Sequence, residues 1–203
     1  MADRILMNKN TLARLKTELG EYREALPVFE MKEQQLKGLV QNLEEATNAL
    51  KEEIRQMLER VKEWASVMAE KDTGLSDLVK LVRVDTEKQE IVGVTVENFI
   101  EIHFDKKQPD YLTSPLWVDE AVDTIVDQKT NQAILHLEQK KLQLLKEELA
   151  EARRMKNALK EVFIPEAIQQ IRKIEIYLGD VERLAIGCAK LVKKKKLEKK
   201  GAS

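Results

Sequence analysis

Between Leu12 and Met68 apolar residues recur at alternating steps of three and four, and no other feature of this chain restricts its fold as tightly. Leu12, Leu19, Leu26, Val40, Ile54, Val61 and Met68 occupy one heptad position. Leu15, Tyr22, Phe29, Leu36, Leu43, Leu50, Met57 and Trp64 occupy the other, and only Glu33 and Thr47 interrupt the stripe. A strict seven-residue repeat narrows the buried face to a seam and imposes a left-handed supercoil with a partner helix. A helix from about Asn8 to Asp72 would run roughly 95 Å at 1.5 Å per residue. Pro27 removes one backbone bond inside this run, but the heptad phase crosses it unbroken, so a kink with the helix continuing is expected. Gly74 follows as a stop signal.

From Leu78 to Phe104 the period changes to two. Val82 and Val84 alternate with Leu81 and Arg83, Val92, Val94 and Val96 with Ile91, Gly93 and Thr95, and Ile100, Ile102 and Phe104 with Glu101 and His103. With the polar stretch Asp85 to Glu90 between the first two runs, the pattern predicts a β-hairpin, with room for a third short strand. Two strands alone are marginal in water, so this insert needs a partner surface. Asp105 to Ser114 reads as a polar loop.

Helical signals resume at Pro115, with Ser114 as N-cap and proline at the permissive first position. Trp117, Val118, Ala121, Val122 and Ile125 form an apolar face, followed by a polar patch from Asp127 to Gln132. A seam returns in two registers. Leu135, Leu142, Leu145, Leu149, Ala152, Leu159 and Phe163 follow one; Ile164, Ala167, Ile171, Ile174, Leu178, Val181, Ala185, Cys188 and Val192 follow the other. They meet at Pro165, as a stutter in a supercoil would.

Two seams of similar length separated by a compact insert can satisfy each other within one chain. The expected fold is mainly α: a long antiparallel two-helix left-handed coiled coil with a small β-hairpin insert at the end distal to the termini. Its parts are residues 1–75, the N-terminal helix; 76–114, the hairpin and loop; and 115–203, the C-terminal helix and basic tail. An in-step hairpin makes facing residue numbers sum to roughly 200, setting Glu33 near Ala167 and Thr47 near Arg153. On this reading Cys188 is a buried seam thiol.

Composition agrees, because 35% charged and 4% aromatic residues suit an extended helical protein better than a large globular core. The net charge of −1 gives no general attraction to nucleic acid or anionic lipid. Locally, Lys193 to Lys196 with Lys199 and Lys200 pile positive charge on the last turns, where it complements the helix dipole or meets an acidic partner. A single cysteine cannot form an internal disulfide and suits a reducing compartment. Met1 to Asn10 lacks the apolar core of a signal peptide, and no stretch approaches the ~20 apolar residues of a membrane span. A cytoplasmic chain is expected.

Chemistry-bearing motifs are missing. There is no glycine-rich phosphate loop, no paired Cys or His at metal spacing, and no nucleophile with its base. His103 and His136 fall in a strand and a helix and read as surface residues. No catalytic residue, cofactor or metal is expected.

Several stretches in fixed order carry a resemblance. Asn8 to Leu36 is a leucine-spaced segment after a short polar leader. Ile91, Val92, Gly93 and Val94 form a glycine-containing strand motif, and Tyr111 to Val122 re-enters the second helix. Arg153, Arg154, Met155, Lys156, Asn157, Ala158 and Leu159 lead through Ile164 and Pro165 to Val181, Glu182 and Arg183. Together they resemble the D subunit of V-type and A-type rotary ATPases, with Glu97 where the family usually has proline and Lys160 where it commonly has glutamate, as in a divergent member.

The resemblance implies a central rotor shaft without catalysis of its own, monomeric when isolated, peripheral to a membrane and coupling ATP hydrolysis or synthesis to ion translocation. Implied partners are the catalytic A and B subunits of the hexamer, the small rotor F subunit and the subunit that couples to the membrane ring, with no nucleic acid and no membrane insertion. Arg153, Arg154, Lys190, Lys193, Lys194 and the turn Ile91, Val92, Gly93 and Val94 are the candidate partner contacts. A prefoldin-like chaperone or another coiled-coil scaffold is the competing class.

Overall fold

The computed structural model describes residues 6–68, 79–106 and 118–201. Helix α1 spans Lys9–Met68, strands β1 and β2 span Val79–Ile91 and Val94–Lys106, and α2 spans Val118–Ala158. A π-helical turn, Leu159–Phe163, joins α2 to α3, Ile164–Gly201. Gly74, Ser114 and Pro115, expected as boundary signals, and Trp117, expected on the apolar face of the second helix, lie outside the described residues.

Local chemistry explains where α1 begins and why it persists. Asn8 caps it, its Oδ1 accepting a hydrogen bond from the Thr11 N–H at 2.7 Å, which satisfies one of the four free donors of a first turn. The helix runs on through Pro27. Leu15, Leu36, Val40 and Ile54 of the seam are buried. Thr47 interrupts the apolar stripe yet is also buried, because its hydroxyl donates to the Leu43 carbonyl at 2.6 Å and leaves no unsatisfied group in the seam.

The chain forms two compact units, one of Met1–Met31 with Ala152–Ser203 and the other of Lys32–Glu151. In the first, α1 and α3 run antiparallel: Leu15 packs against Ile171 and Ile174, Lys16 pairs with Glu175 at 2.6 Å, and Lys9 pairs with Glu182 at 3.9 Å. In the second, Lys32 reaches Glu148 at 2.5 Å and Glu44 reaches Lys146 at 2.5 Å, again with rising numbers on α1 against falling numbers on α2. Each fully buried leucine of this unit, Leu36 and Leu145, contributes about 1.5–3 kcal/mol by leaving water.

These pairs correct the expected register. All of them sum to less than 200, and Lys32, next to Glu33, meets Glu148, well short of the expected Ala167. The heptad pattern defines which residues face inward but carries no information on how far one helix slides along the other.

The seam of α3 also stops early. Ala167, Ile171 and Ile174 are buried and Leu178 is partly so. Val181 and Val192 are exposed, and so is Cys188. The buried seam thiol expected at Cys188 is therefore corrected: α1 begins at Lys9 opposite Glu182, so it supplies nothing for later residues to pack against. Phe163, expected in the seam, is 40% exposed. Buried positions step by seven from Leu145 through Ala152 to Leu159 and then by eight to Ala167, the extra residue being accommodated in the π-helical turn.

In the second unit the hairpin pairs β1 with β2 antiparallel, from Val79 opposite Lys106 to Ile91 opposite Val94. The polar stretch Asp85 to Glu90, expected to separate two strands, lies inside β1, and no third strand occurs among the described residues. Polarity there marks an exposed ribbon and not a turn. The reversal falls at Val92 and Gly93, with φ of 52° and 82°, the left-handed pair that a two-residue hairpin loop requires. The partner surface is α2: Val79 packs with Val118 and Val122, and Phe104, Ile125 and Val126 close around them. Lys129, in the polar patch of α2, donates to the Val79 carbonyl at 2.8 Å.

Candidate partner interface

Arg153 and Arg154 sit on α2 directly after Ala152, a buried seam position. Successive helical residues rotate about 100°, so both arginines turn out of the seam, and both are exposed. Lys190, Lys193 and Lys194 are exposed on α3. At 1.5 Å per residue they stand roughly 54 Å or more along the helix from Arg154. The arginine pair and the lysines are therefore separate surfaces.

The last turns of α3 combine two properties, charge and exposed apolar area. From Arg183 to Leu197 there is no acidic residue, and Leu184 (67% exposed), Ile186, Leu191 (62%), Val192 and Leu197 all face solvent. A cationic helix with exposed aliphatic side chains suits a partner that is both acidic and apolar. The sequence pattern alone did not single out Leu184, Ile186, Leu191 and Leu197 as candidates. Their signal is apolar residues on more of the helix circumference than a single seam uses.

Ile91, Val92 and Val94 are half-buried around the hairpin turn, and Gly93 is exposed. The two register shifts of the hairpin leave Val82 of β1 and Ile100 of β2 without a facing residue. Both are exposed, since a bulged residue is turned out of the regular alternation. Between these bulges Asp85 gathers Arg83, whose Nε lies 2.6 Å away, and His103, whose Nε2 lies 3.1 Å away. Desolvation alone raises the Asp85 carboxyl, but the hydrogen bonds from His103 and Arg83 outweigh it and bring the group below its ordinary value. Nearer the turn, Lys140 of α2 bonds Glu97 at 2.9 Å and Lys141 donates to Asn98 at 3.0 Å. The Lys140 hydrogen bond, and then its charge, hold Glu97 below the usual carboxylate range. A groove of about 200 Å³ lies beside these residues, with Lys88, Thr95 and Leu137 in its wall.

Among the described residues no three His, Cys, Asp or Glu side chains gather as metal ligands, and no helix is long and apolar enough to cross a membrane. Compared with known families, residues 11–194 match the model of the ATP synthase D subunit.

This chain belongs to the ATP synthase D subunit family.

The match takes in α1, the hairpin, α2 and most of α3. A V-type ATP synthase D subunit from Borreliella burgdorferi is 28% identical over 196 residues, covering 97% of this chain and 96% of that protein. Its counterpart in Chlamydia abortus is 27% identical over 206 residues, covering 100% and 99%. A third, from Chlamydia caviae, is 27% identical over 211 residues with the same coverage. Similarity to the D subunit is thus end to end, at the level expected of a divergent member.

Proposed function

We infer that this chain is the central-stalk rotor subunit of a V-type ATP synthase complex, without an active site of its own, transmitting rotation between ATP chemistry in a catalytic hexamer and ion translocation across a membrane. The observation that carries the reading beyond family membership is the extension of α3 past Glu182, a bare helix presenting lysines and aliphatic side chains together. Such an end is suited to seating in a bearing formed by other subunits. The partners on this reading are the catalytic A and B subunits, the small F subunit and the subunit that links to the membrane ring, and the chain works at the cytoplasmic side of that membrane. Arg153, Arg154, Lys190, Lys193, Lys194 and the turn Ile91 to Val94 are its contact residues.

The physical rationale is symmetry. A two-helix shaft has no threefold axis, so each angle presents a different face to each catalytic interface. It can bias a local open or closed state only through a difference in contact free energy between them. Seating by dispersed lysine and aliphatic contacts favours turning, because a few aromatic or arginine hot spots would fix one angle.

The test is co-expression with candidate catalytic and small rotor subunits. One copy of this chain per hexamer is expected, with coupled ATPase activity lost when residues after Glu182 are removed. Failure to co-purify, or full coupling by the truncated chain, would overturn the reading.

A further inference from the structure

Two backbone defects far apart in sequence meet at one level of the helix pair. In α1, Pro27 has no N–H, so the Arg23 carbonyl lacks its usual partner one turn on. In the returning helix, Leu159–Phe163 is π-helical, with the Ile164 N–H bonded to the Leu159 carbonyl. Pro165 follows at once and supplies no N–H of its own.

The level is fixed by an aromatic pair. Tyr22 stacks on Phe163, with ring centroids 5.6 Å apart and an interplanar angle of 30°. The helices are antiparallel with nearly equal rise, so moving five residues up α1 from Tyr22 corresponds to moving five residues back from Phe163. Pro27 therefore lies level with about Ala158. The interrupted turn from Arg23 to Pro27 lies beside the π-helical turn itself. All these residues belong to one unit of the chain.

Either defect alone would be spanned by an intact neighbour. A proline in one helix of a pair is stiffened by the regular helix beside it, and a π-turn likewise. Here neither helix is regular where the other is broken. Val28 and Val162 at this level are exposed, so the apolar packing across it rests on the buried Leu159 and the Tyr22–Phe163 stack.

We propose that the level defined by Tyr22–Pro27 and Leu159–Pro165 is a built-in joint, at which the helix pair twists and bends more readily than in the turns to either side. The stack of Tyr22 on Phe163 keeps the two helices in register while the backbone gives. The joint is a property of the isolated chain and holds whatever its partners are. In a turning shaft it is the place where twist accumulates between one contact and the next.

Hydrogen–deuterium exchange of the full-length chain tests this without any partner. Amides of residues 24–31 and 159–164 should exchange about fivefold or more faster than those of residues 36–43, the difference one net backbone bond makes. Equal protection in these segments would overturn the proposal. Pro27→Ala restores the missing donor in α1 and should slow exchange in residues 159–164 as well. Deleting Val162, which returns the π-turn to α geometry, should slow residues 24–31 in the same way. Slowing confined to the altered helix would show two independent defects and no joint. Far-UV circular dichroism checks that each variant keeps its helix content.

Discussion

Lys9, the first residue of α1, lies 3.9 Å from Glu182, and this single pair marks how much of α3 the opposing helix can cover. Everything from Arg183 to Leu197 is exposed. Truncation after Glu182 should therefore leave the thermal midpoint within about 2 °C of the full chain, as for surface changes that remove no packing. A circular dichroism melt decides it. A fall of about 5 °C or more would mean that the extension packs on the chain's own surface.

The seam should respond oppositely at its apolar and polar positions. Leu36→Ala or Leu145→Ala empties a fully buried site and should cost about 2–5 kcal/mol in urea unfolding. Thr47→Val keeps the shape and removes a hydroxyl whose bond goes to a carbonyl of its own helix, at Leu43. That substitution should be neutral or stabilising by up to about 1 kcal/mol, because no buried group is left unpaired.

At the hairpin turn the chain places a β-branched residue where one is least comfortable. Val92 has a φ of 52°, a left-handed conformation that costs an ordinary residue about 1–2 kcal/mol. Val92→Asn or Val92→Gly should therefore strengthen the hairpin by about 1 kcal/mol, read as slower amide exchange across β1 and β2. Gly93→Ala, at a φ of 82°, should weaken it. An unchanged hairpin in the Val92 variants would imply that the half-buried valine gains as much from packing as it loses in backbone strain.

The hold of the hairpin on α2 should depend on acidity. The Lys140 hydrogen bond depresses the Glu97 carboxyl below its ordinary value of 4.5. A group lowered on folding contributes stability that is fully present above the ordinary value and is lost as pH falls through the folded value. Amide signals of Glu97 and Asn98 should thus be constant near neutral pH and titrate with a midpoint below 4.5. Glu97→Gln should abolish that transition. A transition centred above 4.5 would contradict the arrangement.

How much of this was legible in the sequence follows from what periodicity can encode. Leu15, Leu36, Val40 and Ile54 were readable as buried because a heptad repeat marks one face of one helix. The sliding of the helices past each other was not, since register is set by facing pairs such as Lys32 with Glu148. Cys188 was misplaced for the same reason: its spacing fits a seam, but among the described residues no helix lies opposite it and it is exposed. In the hairpin, alternation announced strands, while the exposed residues Thr86 to Glu90 imitated a turn by being polar. For the interface, the tail lysines and the arginine pair were visible as charge. The aliphatic residues beside those lysines gained meaning only once they were seen to be uncovered.

The exposure of Cys188 has a practical side. It is the one cysteine of the chain, so the unaltered polypeptide can carry a single maleimide-linked dye or bead at a chemically unique point on the free end of α3. An environment-sensitive dye there reports whether that end becomes covered when it seats against a partner, without first removing other thiols.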